Sequence, residues 1–151
     1  MSSYIYIASD AQLVEGLIGD KRLNIFNTTF YPSSSSLESF FFEKNYDPDE
    51  KRVFSFSKHF SSEKYQVASI DLNLPEKNDK TVSRRNKKAL HELYNYIENH
   101  FVHTNATYVE ILFCLNGEEN EPLKQNHVTS YEKLSVNDLF YEDQKLLTII
   151  K

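Results

Sequence analysis

The feature that most constrains the fold is a long amphipathic segment over residues 82–102. Its apolar side chains recur every three or four positions, so a helix would place them on one face. They are Val82, Ala89, Leu90, Leu93, Ile97 and Phe101. Such a face has to be buried, because packing supplies most of the stability of a helix in a protein. The segment therefore predicts one dominant helix, half buried against the rest of the chain.

The polar face of this predicted helix begins with cations. Along the chain, the basic residues and the histidine of its first turns are Arg84, Arg85, Lys87, Lys88 and His91. A helix start carries partial positive charge from its free amide groups and aligned peptide dipoles. A basic first turn therefore forgoes about 0.3–1 kcal/mol per charge that acids would have gained. Because helix stability does not explain these side chains, we take the five as candidate binding residues.

Charge is segregated around the start of this helix. Residues 76–91 carry six Lys or Arg and two acids, in a chain whose formal net charge is -5. Three explanations are open for these cations. They could form a solvated helix face whose charges pair with Glu92 or with the acidic loop 118–121. They could instead bind a protein partner, or they could bind phosphate or nucleic acid. Nucleic-acid surfaces usually interleave aromatic rings with cations. The nearest exposed candidates, Tyr94 and Tyr96, are expected two or more turns away.

The first quarter of the chain predicts a strand followed by a short helix. Residues 4–8 are mainly β-branched or aromatic, which favours a strand. The Ser and Asp that come next are suited to cap a helix, and we assign that helix to residues 11–18. Residues 23–26 have the pattern of an extended segment, and the serine run 33–36 is typical of a loop.

The next part predicts a β-hairpin. Residues 52–60 alternate Phe with polar residues, and residues 65–74 also alternate, as half-buried strands do. Because a short polar turn joins the two runs, we pair them as an antiparallel hairpin. Residues 45–50, with a proline among acids, predict a turn. Residues 37–42 fit either a strand or a capped helix, and three consecutive phenylalanines favour the strand.

The second half predicts a buried strand and two further extended segments. Residues 108–115 are apolar on both alternating faces, which is typical of a central strand covered on both sides. Residues 122–131 are expected to be extended, residues 135–141 to contain a helical turn, and residues 146–150 to form a strand. Runs of strands around one dominant helix predict an α+β fold. We expect one domain over residues 1–151. Its sheet is expected to be mainly antiparallel, with a mixed sheet as the alternative, and to be covered on one face by the long helix. One or two short helices complete the prediction.

Several common site types lack the residues that they need. Loops that cradle phosphate need closely spaced glycines, and the glycines here are Gly16, Gly19 and Gly117. A structural zinc site needs four thiolate or imidazole ligands, which one cysteine and five scattered histidines do not supply at the usual spacings. His91 opens a pattern like that of a zincin helix, but the position four residues later is Asn95. We therefore expect no cofactor and no metal.

Residues that could act in catalysis also have structural explanations. Cys114 lies in an apolar strand, where burial would raise its pKa, so we assign it to the core. The paired carboxylates at 118–119 lie in a polar turn and are expected to be solvated. Asp71 interrupts a mainly apolar strand, but it shares its face with Ser69, and we expect that face to be exposed.

Composition limits the location and the class of partner. One cysteine cannot form an internal disulfide, residues 1–4 lack the pattern of a secretory signal, and no apolar run approaches the ~20 residues of a membrane span. We therefore expect a cytoplasmic protein without a membrane partner. The net charge of -5 argues against general nucleic-acid binding. The usage of Lys, Asn and Ile indicates a bacterial origin.

These observations favour a small non-catalytic domain of the inhibitor, immunity or accessory type, whose partner is another protein. The alternative is nucleic-acid or phosphate binding through the basic helix residues 84–91. A third class is an enzyme whose site assembles from residues far apart in the sequence. Convergence of four titratable residues in one cleft would indicate that class. They are His59, Asp71, His100 and His127.

Overall fold

The structure is a computed structural model that describes residues 2–18, 23–25, 28–30, 40–71 and 73–151. The helix α1 spans Arg84–His103, and two 3₁₀ turns span Tyr131–Lys133 and Val136–Leu139. In chain order the strands are β1 (Ser3–Ser9), β2 (Gly16–Ile18), β3 (Leu23–Ile25), β4 (Thr28–Phe30), β5 (Phe40–Lys44), β6 (Tyr46–Asp47), β7 (Arg52–Val53), β8 (Tyr65–Ile70), β9 (Tyr108–Leu115), β10 (Gln125–Ser130) and β11 (Lys145–Ile150).

Seven strands form the main sheet in the order β10-β11-β9-β1-β8-β5-β2. Neighbouring strands are antiparallel except for β10 and β11, which are parallel. The sheet is therefore mixed and mainly antiparallel. The short strands β3 and β4 pair with each other, as do β6 and β7. The predicted α+β class, with one long helix against the sheet, is confirmed.

The helix α1 lies within two residues of its predicted bounds. The Ser83 side chain accepts a hydrogen bond from the backbone N–H of Asn86 at 3.1 Å, which satisfies one of the free amides of the first turn. At the other end, the Thr104 N–H donates to the His100 carbonyl at 3.1 Å. Both ends are thus capped by the residue types that the sequence places there.

One face of the sheet packs against α1. The helix side chains Ala89, Leu93 and Phe101 are fully buried. The sheet side chains of the same core include Ile5, Ile7, Ile111, Phe113, Leu147 and Ile149. The predicted exposure of Tyr96 is wrong, because its ring is buried and its hydroxyl donates to the Val14 carbonyl at 2.6 Å.

The other face of the sheet has its own core beneath the loops that precede β8 and follow β9. Its buried members are Tyr6, Ala8, Phe60, Ala68, Leu112, Cys114 and Leu146. Since β9 contributes to both cores, it is covered on both sides, as predicted. Burial raises the pKa of the Cys114 thiol to about 12, so the assignment of this cysteine to the core is also confirmed.

The helix predicted over residues 11–18 is wrong. Residues 12–15 have no regular structure and residues 16–18 form β2. The two residues expected to cap the helix have partners 97 and 99 residues away. Asp10 accepts hydrogen bonds from the backbone N–H and the hydroxyl of Thr107, and the Ser9 hydroxyl donates to the Tyr108 carbonyl at 3.0 Å. These contacts hold the end of β1 against the start of β9 instead of starting a helix.

The hairpin predicted from residues 52–60 and 65–74 is also wrong. β8 pairs with β1 and β5, and only residues 52–53 of the first run are in a strand. The reason lies in the amide of Gln66, which is buried in β8. Its Oε1 accepts from the Phe56 N–H at 2.7 Å and its Nε2 donates to the Ser62 carbonyl at 2.8 Å. The Gln66 side chain therefore supplies the hydrogen bonds that a paired strand would have given to the backbone of this loop.

The remaining predictions mostly locate real elements. The strand favoured over residues 37–42 begins at Phe40 as β5, and residues 37–39 lie outside the described part of the chain, as does the loop 33–36. The turn predicted over 45–50 contains β6 at its start. The expected extended segments and final strand correspond to β3, β10 and β11. The helical turn expected in residues 135–141 is the 3₁₀ turn Val136–Leu139, whereas the sequence did not predict the 3₁₀ turn Tyr131–Lys133.

Candidate functional site

The five residues nominated on the helix form what we call the basic helix surface: Arg84, Arg85, Lys87, Lys88 and His91. All but the partly buried Lys88 are exposed, and the first turn of α1 contains no acid. Glu92 and the acidic loop 118–121 are the acids expected to pair with these cations. Glu92 is buried on α1, and the acidic loop contributes Glu119 to the opposite face of the sheet, where it binds Tyr6.

The four residues whose convergence would indicate an enzyme have separate partners. The His59 ring nitrogen Nε2 bonds to the Glu121 carbonyl at 2.8 Å, whereas that of His127 lies 3.9 Å from the Asp138 carboxylate. His100 bonds to Ser9, and Asp71 accepts from two N–H groups of its own turn. Among the described residues, no group of three or more His, Cys, Asp or Glu could hold a metal ion.

The Ser9 and His100 pair resembles a nucleophile and its base but is structural. The single proton of the Ser9 hydroxyl goes to the Tyr108 carbonyl, and its oxygen accepts from the Ala11 N–H at 3.2 Å. The His100 Nε2, 2.7 Å away, completes the hydrogen bonds of this buried hydroxyl. Burial lowers the pKa of His100 although Asp10 opposes this effect. With Ser9 fully buried, no substrate reaches the hydroxyl.

A buried lysine has equally complete contacts. The Lys145 Nζ donates to the carbonyls of Asp138 and Phe140 at 3.0 and 2.9 Å and lies 3.1 Å from the Glu142 carboxylate. It also lies 4.6 Å from the centre of the Phe113 ring. Burial lowers the pKa of Lys145, against the opposing effect of Glu142. Because three ammonium protons meet three acceptors, this group fixes the second 3₁₀ turn to β11.

A concave surface lies on the face of the sheet away from α1. It encloses about 470 Å³, and we call it the aromatic groove. Its aromatic lining comprises Tyr4, Tyr6, Phe41, Tyr46, Phe54 and Phe56. The register places Tyr6, Ala68 and Glu43 side by side on β1, β8 and β5. The small alanine between larger neighbours is what leaves the depression.

The walls of the aromatic groove are held before any partner arrives. The rings of Tyr6 and Phe56 have centres 5.4 Å apart, and those of Phe54 and Phe56 meet edge to face at 5.0 Å. The backbone of Phe56 is fixed by the Gln66 side chain. On β5, the Phe41 N–H donates to the Ser69 hydroxyl at 3.0 Å. Rigid aromatic walls bind with a smaller loss of conformational entropy.

Part of this aromatic surface is open to solvent. Phe41 is 48% exposed and Tyr46 is 41% exposed. The neighbouring Val53, which pairs with Tyr46 across β6 and β7, is exposed as well. Clustered exposed apolar side chains mark interaction surfaces more often than scattered ones do, and aromatic residues are enriched at interfaces.

Acids border the aromatic groove on two sides. Glu43 lies beside Ala68, and Glu119 accepts hydrogen bonds from the Tyr6 hydroxyl and the Gly117 N–H. Burial raises the pKa of Glu119, but these hydrogen bonds outweigh it and the net shift is downward. Burial and the same hydrogen bond raise the pKa of Tyr6. Glu119 therefore stays ionised and Tyr6 neutral at physiological pH.

Sequence reasoning missed the aromatic groove. The alternation at the start of the chain separates Tyr4 and Tyr6 from the isoleucines between them, which was a signal that both tyrosines face away from the helix. Phe54 and Phe56 were placed on the buried side of a hairpin strand, whereas they form a wall of the groove. The interpretation of Asp71 and Ser69 as exposed is wrong, because Ser69 is buried and Asp71 is partly buried.

Comparison of the chain with protein-family models, curated proteins and solved structures gave no match. Within the described residues, no helix is long and apolar enough to cross a membrane.

Proposed function

We propose that this chain is a small non-catalytic domain that binds another protein through the aromatic groove. The observation that carries the proposal is the solvent-exposed ring of Phe41 beside the fixed walls of Phe54 and Phe56. Interface energy concentrates in a few aromatic side chains at the centre of a well-packed patch. The groove supplies such a centre on the side of the sheet that α1 leaves open.

The polar groups of the groove favour binding over catalysis. Ser69 is the one serine among its lining residues. The Ser69 hydroxyl accepts a hydrogen bond from the Phe41 N–H and donates one to the Ile70 carbonyl at 2.9 Å. Glu119 is committed to Tyr6. A catalytic site would need a nucleophile with a base in reach, or an acid with a perturbed pKa free to exchange its proton. The lining of the groove provides neither.

The chemistry of the partner follows from charge. The chain has a formal net charge of -5, and acids border the groove, so a basic protein is the partner that fits best. Inhibitor, immunity and accessory proteins work in this way, by covering a surface of a partner. Because the single cysteine is a buried thiol, we assign this role to the reducing cytoplasm of a bacterium.

The test compares partner capture by matched surface variants. Phe41→Asp places a charge in the groove, and Val102→Asp places the same charge on another exposed apolar position, on α1 at the opposite side of the sheet. From a bacterial lysate, we expect the wild type and Val102→Asp to capture the same basic protein, and Phe41→Asp to lose at least tenfold of it. Equal capture by Phe41→Asp, or no specific capture by the wild type, contradicts the proposal.

A second candidate is phosphate or nucleic-acid binding by the basic helix surface, favoured by its exposed cations and the absence of acid from the first turn. Retention on heparin that falls steeply with salt would support it. Replacing Arg84, Arg85, Lys87 and Lys88 together by Ala should abolish that retention. A wild type that is not retained at low salt eliminates this candidate.

A further inference from the structure

We infer that the aromatic groove receives an arginine side chain of the protein partner. This inference rests on the proposed function and specifies which chemical group the groove recognises. It depends on three features of the described residues: the shape of the floor, the aromatic rings that line the groove, and the charge at the rim.

The floor is shaped for a long unbranched side chain. Ala68 lies between Tyr6 of β1 and Glu43 of β5 in the register of the sheet, and Ile70 of the same strand also lines the groove. A methyl group between two longer side chains leaves a slot with the Tyr6 ring on one side and the Glu43 side chain on the other. The methylene groups of an arginine can lie along such a slot while its charged end remains near the rim.

Aromatic rings line the slot on both sides. Tyr4 and Tyr6 stack with centres 5.7 Å apart, and Phe56 packs on Tyr6 from the loop. Phe41 borders the slot from β5. The face of an aromatic ring attracts a cation, and a planar guanidinium can stack on it as well. A lysine ammonium is more strongly hydrated and has no plane to stack, so the groove favours arginine.

The carboxylate at the rim is available to a partner. Glu43 is exposed and forms no ion pair or side-chain hydrogen bond with the described residues. Lys44 also lines the groove, but its Nζ lies 4.0 Å from the Glu15 carboxylate and 5.6 Å from the centre of the Tyr46 ring, so Glu43 is not its partner. Glu43 can therefore accept the two parallel N–H groups of a guanidinium, the geometry that arginine forms with a carboxylate.

The inference is tested by titrating the protein with capped tripeptides and following its backbone amide signals by NMR. The probe is acetyl-Gly-Arg-Gly-amide. Its matched control contains citrulline, which has nearly the same shape but no charge. Lysine and leucine tripeptides complete the set. We expect the arginine peptide to shift the signals of Phe41, Ala68 and Ile70 and to bind at least fivefold more tightly than the citrulline and lysine peptides.

Two variants with the same change in net charge locate the effect. Glu43→Gln should weaken binding of the arginine peptide about fivefold, whereas Glu132→Gln, at an exposed acid of the first 3₁₀ turn, should leave it unchanged. Equal binding of arginine and citrulline, equal binding of arginine and lysine, or no effect of Glu43→Gln overturns the inference.

The outcomes separate this inference from the proposed function. If the leucine peptide binds the groove as well as the arginine peptide does, the groove recognises apolar groups and only the arginine inference fails. If no peptide binds but partner capture still depends on Phe41, the inference fails and the proposed function stands. If capture does not depend on Phe41 either, both fail.

Discussion

Asp71 provides the sharpest test of how the structure controls ionisation. Burial raises the pKa of its carboxyl to about 6, and Glu76 adds to this effect against two backbone hydrogen bonds from Asn73 and Leu74. The ordinary value is 3.8. The folded protein therefore holds the Asp71 proton more tightly than the unfolded chain does. This contribution to stability is fully present below pH 3.8 and is lost as the pH rises through about 6.

The perturbation is Asp71→Asn. The Asn Oδ1 can keep both hydrogen bonds, at 3.1 and 2.9 Å in the wild type, without a charge. The difference between 3.8 and about 6 corresponds to about 3 kcal/mol, since a tenfold change in proton affinity is about 1.4 kcal/mol. We expect the variant to be more stable than the wild type by up to about 3 kcal/mol at pH 8. The gain should shrink below pH 6 and vanish near pH 4.

The assay is urea unfolding followed by circular dichroism at pH 4, 5, 6, 7 and 8, with equal m-values as the check that the unfolding reaction is the same. Taking the difference between variant and wild type cancels the other titrating groups. As a control, Glu76→Gln removes the repulsion and should reduce the pH dependence of the wild-type sequence without removing it. If Asp71→Asn lowers stability by a similar amount at every pH, the carboxylate is not penalised by burial and this reasoning is refuted.

Three further predictions concern the buried groups. Leu147→Ala, at a fully buried position of β11, should cost about 2–5 kcal/mol in urea unfolding, and a cost below 1 kcal/mol contradicts its burial in the core beneath α1. Lys145→Met should cost about 3 kcal/mol, because it leaves the Asp138 and Phe140 carbonyls without a donor and removes one partner of Glu142, which keeps Gln125 and Lys77. An unchanged melting temperature contradicts this. Burial lowers the pKa of His100 below 6.5, so the wild type should lose stability as the pH falls below that value. The excess in free energy of unfolding of the wild type over His100→Gln should therefore decrease from pH 7 to pH 5. A difference that grows instead means that the folded state raises the pKa of His100, and contradicts the prediction.

The aromatic groove could not be located from the sequence, because its position depends on how β8 is aligned with β1 and β5 in the sheet. Nothing local to Ala68 specifies that Tyr6 and Glu43 will flank it. That neighbourhood arises when β8 pairs with β1 on one side and β5 on the other. The basic helix surface could be found from the sequence, since the helical period alone decides which residues share its exposed side.

Local patterns by themselves determined the elements whose periodicity admits one interpretation. The helix α1 follows from apolar side chains at helical spacing and a serine cap, and β9 follows from apolar side chains on both alternating faces. In each case the signal is in the residues that become buried, and it requires no knowledge of what covers them.

Only the tertiary structure decided the segments whose polar residues had a choice of partners. Asp10 could cap a helix or accept hydrogen bonds from the distant Thr107. The side-chain amide of Gln66 could face solvent or form hydrogen bonds with the backbone of the preceding loop, in place of a neighbouring strand. A side-chain hydrogen bond of either kind stabilises by a similar amount. The packing of β1, β8 and β9 therefore selects the partner of each polar side chain. The hydrogen bonds of Gln66 that prevented a hairpin also placed Phe54 and Phe56 over the sheet, where they form a wall of the groove.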